Sequence, residues 1–171
     1  MSRNDVIKIV LTGLILASSG HFRQYMVGAQ NHSTSNKKSD KLVIGIIRRV
    51  PSAIFSNCSS TLQLSEDDQK HNDRYVFVDD LGKTVLMNID GKDIRLRPVS
   101  HKEPKGEPKK GDKSVSIYTD GNAINVRIDY VLTEPCNPKE EHCEVTYYDA
   151  TIAVTRSGLK RVVKAKGAIG C

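Results

Sequence analysis

The chain has 171 residues, 38% of them hydrophobic and 27% charged, with a formal net charge of +6. That length suits one domain with a real core and is short for two. The absence of Trp and an aromatic content of 5% argue against the stacking platforms used to hold single-stranded nucleic acid.

The N-terminus reads as a targeting segment. Arg3 and Lys8 precede an apolar run, Ile9 to Ser19, of about 11 residues, against the roughly 20 that a membrane-spanning helix needs. No membrane span is therefore expected. Cleavage is expected between residues 18 and 29, so that residues 1–29 form a signal peptide and residues 30–40, rich in Ser, Asn and Lys, a flexible leader. Leu16-Ala17-Ser18-Ser19 has the form of a lipoprotein box, but Ser19 stands where the lipidated cysteine belongs. Residues 41–171 are expected to form a single β domain. Removing residues 1–29 takes away three basic residues and one acidic residue, which leaves a charge of about +4.

Lys41 to Val50 is a β-branched run suited to a buried strand, with Gly45 as a bulge and Pro51 as its stop. Ser59 to Leu64 follows as a short strand. Ser65 to Arg74 is uniformly polar and reads as a solvated loop; Glu66, Asp67, Asp68 and Asp73 lack the spacing that wraps calcium. Tyr75 to Val78, Lys83 to Ile89 and Lys92 to Val99 form a meander, turned at Asp79-Asp80-Leu81-Gly82 and at Asp90-Gly91. In the last of these strands Ile94, Leu96 and Pro98 should face the core and Asp93, Arg95 and Arg97 the solvent.

His101 to Lys113 holds two Pro, two Gly and five Lys and reads as a mobile loop, since it has no apolar face to bury. Gly106 to Gly111 has P-loop spacing, but Asp112 replaces the phosphate-binding lysine and a strand follows, so no nucleotide is expected.

The last four strands, Lys113 to Thr119, Ala123 to Thr133, Glu144 to Arg156 and Leu159 to Gly167, are the most regular. Ile124, Val126, Ile128, Tyr130 and Leu132 share one face; Tyr148, Ala150, Ile152 and Val154 share another. The fold class is all-β: an antiparallel meander of about eight or nine strands forming a small barrel or sandwich, stapled by disulfides. Export makes the four cysteines two bridges, expected as Cys136 with Cys143 and Cys58 with Cys171. Chain entropy assigns about 2.5 kcal/mol to the short loop and about 5 kcal/mol to the long one. A metal site from Cys136, His142 and Cys143 is the competing reading, and it lacks both CxxC spacing and a second ligand pair.

Two basic groups are candidates for anion binding: Lys105, Lys109 and Lys110 on the loop, and Arg156, Lys160, Arg161, Lys164 and Lys166 on the final hairpin. Lysines on strands also discourage edge aggregation. Catalytic signatures are missing: there is no G-x-S-x-G elbow, H-E-x-x-H helix or dinucleotide turn. Acid pairs such as Asp79 with Asp80 are neighbours in turns, where they serve solubility. No catalytic residue, metal or cofactor is assigned.

Tyr75 to Val99 and Tyr147 to Cys171 resemble small exported bacterial proteins of uncharacterised function. IDGKDIRLRPV, with Gly111 to Asp120, resembles the lysozyme-inhibitor lipoprotein domains, although their Ser-Gly-x-x-Tyr loop is not present. That resemblance implies a disulfide-held antiparallel barrel that inhibits an enzyme. The expected role is a non-enzymatic secreted or periplasmic binding domain, partnered by another protein. The alternatives are an envelope protein holding anionic polymers through its basic groups, and a hydrolase with an unrecognised site, which would require a concave pocket with convergent titratable groups.

Overall fold

The fold is described from a computed structural model, which describes residues 41–56, 58–66, 74–81, 84–136 and 144–171. Residues 1–40, expected to be a signal peptide and leader, most of the acidic loop and the segment between Cys136 and Glu144 lie outside the described residues. The described residues belong to one unit, Lys38–Cys171.

Among the described residues, nine strands make one antiparallel sheet. They are β1 (Ile44–Gly45), β2 (Ser59–Leu64), β3 (Tyr75–Asp79), β4 (Val85–Ile89), β5 (Lys92–Lys102), β6 (Lys113–Thr119), β7 (Ile124–Glu134), β8 (Val145–Arg156) and β9 (Leu159–Gly170). Spatial order runs β4-β3-β2-β9-β8-β7-β6-β5, and β5 pairs back to β4, so strands β2–β9 close a barrel. Closure removes the exposed edges that an open meander would carry. Between the two architectures expected from the sequence, the chain is a barrel.

Its turns follow from single residues. Asp90 and Gly91 both take positive φ (51° and 73°), as do Ser157 and Gly158 (48° and 83°), the backbone that two-residue hairpins need to match strand twist. These turns share one end of the barrel with the Asp120 turn.

The N-terminal part of the domain corrects the expectation of a long strand. Only Ile44 and Gly45 pair, with Ile89 and Asn88 of β4, at the point where β3 has diverged from β4 beyond Met87. The rest of Lys41–Val50 is a strap laid across the β3–β4 wall. It is irregular because its polar anchors lie outside the ladder: Asp90 Oδ1 accepts from Val43 N at 2.9 Å, and the Asp93 carboxylate accepts from Arg48 N, Arg49 N and Asn88 Nδ2. Gly45 is where the strap meets the wall, and a Cβ there would lie 2.5 Å from Asn88 Oδ1. Ile47 and Ile54 then bury against Val78 and Leu86 on the outside of the barrel. All five residues of β4 are buried, because the barrel core covers one face and the strap the other.

Inside, Leu62, Phe77, Met87, Leu96, Val126, Ile128, Ile152 and Val154 fill the half toward the hairpin turns, with Leu42 and Ile44 closing that end. Arg156 makes an ion pair with Asp90 across it. Burying a side chain of the size of Ile152 contributes about 1.5–3 kcal/mol, so this half carries most of the cohesion.

Candidate functional site

The other half of the barrel is polar. Strand alternation aims Ser60 of β2, Asp79 of β3, Ser116 and Tyr118 of β6 and Tyr130 of β7 inward, and all are buried. They surround a cavity of about 410 Å³ whose walls also include Pro98, Glu103, Ser114, Tyr148 and Ile169. That is a small-ligand volume.

Asp79 stands at its depth. The sequence places it in a turn serving solubility; in the structure it closes β3, and only 7% of it is exposed. The reason is period two: Asp79 follows Phe77 on the same face, and its register partners are Ser60 on β2 and Val85 on β4. Asp80 does have the turn role, its Oδ1 accepting from Thr84 N. Tyr118 OH donates to Asp79 Oδ2 at 3.1 Å across the barrel. Burial, with the neighbouring Asp79 charge, pushes the Tyr118 phenol up to about 12. Burial raises Tyr130 well above its ordinary value too, and Tyr148 is raised by burial and by the charge of Glu103. All three phenols therefore keep their protons at neutral pH and serve as donors. Ser60 Oγ is buried and makes no hydrogen bond of acceptable geometry.

The rings are held as a set. Phe77 and Tyr118 lie with centroids 5.3 Å apart, and Tyr130 meets Tyr148 edge to face at 5.7 Å.

His101 falls in β5 instead of the loop assigned to it from sequence. A bulge between Pro98 and Ser100 shifts the register, so His101 pairs with Ser116 and leans over the cavity. Its Nδ1 lies 2.9 Å from Ser116 Oγ and its Nε2 3.3 Å from Glu103 Oε2. Ser, His and an acid thus come into sequence within hydrogen-bonding reach. Ser116 nevertheless sits mid-strand between β5 and β7, where the main-chain N–H groups are committed to the ladders. Free donors for a developing oxyanion are what such a site would need.

The disulfides belong to this end. Cys58 and Cys171 are bridged, as expected, tying the start of β2 to the end of β9. Cys136 is also disulfide-bonded, at the end of β7, while Cys143 lies outside the described residues, as does His142.

The anion-binding candidates do not converge. Lys105, Lys109 and Lys110 are exposed on the β5–β6 loop, whose far end is tied down by Gly111 N to Leu132 O and Leu132 N to Asp112 O. Lys113, at the loop's end, lies in the row Lys113, Val131, Asp149 and Lys166, so an acid stands beside Lys166. Lys160 lies in the row Thr119, Asn125 and Thr155, the length of β6 away, about 20 Å. Arg161 pairs with Val154 near the same turn, Lys164 hydrogen-bonds Thr151 Oγ1 at 2.8 Å, and Arg156 is engaged with Asp90.

Among the described residues no helix is long and apolar enough to cross a membrane. Comparison with protein families, with curated proteins and with solved structures finds no match.

Proposed function

We propose that this chain is an exported, non-enzymatic binding domain that takes its ligand in the polar end of the barrel. The observation that carries the reading is the cavity of about 410 Å³ at the mouth of a closed barrel, with a buried hydroxyl, a carboxylate and three phenols converging on it. Eight-stranded barrels are wide enough to hold one small ligand, and a protein that needed only stability would fill the space with side chains. The bridged Cys58 and Cys171 support an oxidising compartment. The Ser116 environment, lacking free main-chain donors, favours binding over acyl transfer.

A partner protein is the second reading. Leu81 at the rim and Val99 on the bulge are 53% and 60% exposed, and apolar side chains beside a cup suit a partner that inserts one of its own.

Mapping a fragment library by amide chemical shifts tests the proposal. Perturbations should cluster on Ser60, Ser116, Tyr118 and Tyr130. Perturbations confined to the outer face of β9 would contradict it, and so would an ester-cleaving activity that disappears in Ser116→Ala.

A further inference from the structure

Resting on that reading, we infer that the ligand is a small organic amine in its ammonium form, its cationic head between Asp79 and Ser60 and its apolar body toward the mouth. Three independent features of the cup lead there.

The first is the sign of its charge. The chain is basic, +6 in formal charge, yet the described residues lining the cavity include two acids, Asp79 and Glu103, and neither a Lys nor an Arg. An anionic group entering would meet the Asp79 carboxylate at the depth and, at the rim, the Glu103 carboxylate, which lies 3.3 Å from His101 Nε2.

The second is Ser60. Ser60 is only 4% exposed and lines the cavity; its hydroxyl has the Tyr130 phenol beside it and no partner in strict hydrogen-bond geometry, so its oxygen keeps room to accept from a ligand. Buried hydroxyls are ordinarily well satisfied, so one facing a cavity with acceptor capacity left over marks a place a ligand atom can fill. Ser60 is the direct register partner of Asp79 on the neighbouring strand. Directly opposed side chains have Cβ atoms about 4.5–5.5 Å apart, a gap one ammonium group, with its three donors, spans by bonding both.

The third is what surrounds them. Tyr118, Tyr130 and Tyr148 line the same cavity, and a ring face turned to an ammonium group attracts it. Pro98, Leu81 and Ile169 continue the wall toward the mouth and suit a short hydrocarbon or aryl body.

The test uses the oxidised protein and three probes that share a benzyl group and differ in their head: benzylammonium, benzyl alcohol and phenylacetate, each titrated at constant ionic strength with amide shifts as the readout. Benzylammonium should perturb Ser60, Asp79 and Tyr118 and bind at least about tenfold more tightly than phenylacetate. Ser60→Ala should weaken it by about three- to tenfold, the usual net worth of one hydrogen bond. Asp79→Asn should weaken it more than tenfold. Because Asp79 also accepts from Tyr118, the exposed Glu103→Gln is the companion variant, with a loss of about two- to threefold and an unchanged melting curve. Phenylacetate binding in the cup as well as or better than benzylammonium would overturn the inference and leave the binding proposal standing. Silence of the cup toward all three probes would overturn both.

Discussion

The two halves of this barrel are made from the same strands and do different work. Along β7, Ile124, Val126 and Ile128 point into the half closed by hairpin turns, and two residues later Tyr130 points into the cup. Along β8 the order reverses, from Tyr148 to Ile152 and Val154. Hydrocarbon packed on hydrocarbon needs nothing further. The polar half survives because Tyr118 and Asp79 satisfy each other, disulfides hold its margin, and the apolar half carries the stability both require.

The contrast can be broken from either side. The largest effect should come from the packed half: Ile152→Ala, at a fully buried position, should cost about 2–5 kcal/mol in urea unfolding. Next comes the rim, where replacing Cys58 and Cys171 together by Ala should cost about 2–4 kcal/mol and lower the melting temperature without altering the strand signal in circular dichroism. Tyr118→Phe, which leaves the Asp79 carboxylate without that donor, should cost about 1.5–3 kcal/mol.

The same residue sets a pH signature. Tyr118 is raised from about 10 unfolded to about 12 folded, so between those values the native state holds a proton that the unfolded chain has released. Its contribution is therefore complete below pH 10 and is lost as pH rises through 12. Melting temperature should fall across that window, and less steeply in Tyr118→Phe. The smallest effect belongs to Ser60→Ala: the hydroxyl has only a weak contact with the Tyr130 phenol to lose, so unfolding should change by less than about 0.5 kcal/mol, while ligand affinity falls.

Strand alternation in the sequence already shows the packed half. Ile124 through Leu132 and Ala150 through Val154 lie on the faces their spacing assigns, the hairpin turns are at Asp90-Gly91 and Ser157-Gly158, and Cys58 meets Cys171. The site was harder to see, because a cavity is a property of strands far apart in sequence. Tyr130 is on the core face by its spacing, but its neighbours Asp79 and Ser60 become neighbours only when β2 pairs with β3. Asp79 had a signal that a turn reading overrides: counting by twos from Phe77 brings it inward. His101 had none, since the bulge that turns it over the cup comes from a register shift beside Pro98. The strap was misread for a different reason. Hydrophobicity alone does not say whether a run such as Lys41–Val50 lies within a sheet or across one, and the choice was made by Asp90 and Asp93, more than forty positions later.

The most direct test fills the cup without touching the packed half. Ser114 lines the cavity near its mouth, and Ser114→Trp would place an indole across it. If the polar half is built to be occupied, this variant should lose fragment binding and keep its melting temperature, without the loss of stability expected of Ile152→Ala. Fragment binding undiminished in Ser114→Trp would contradict the account.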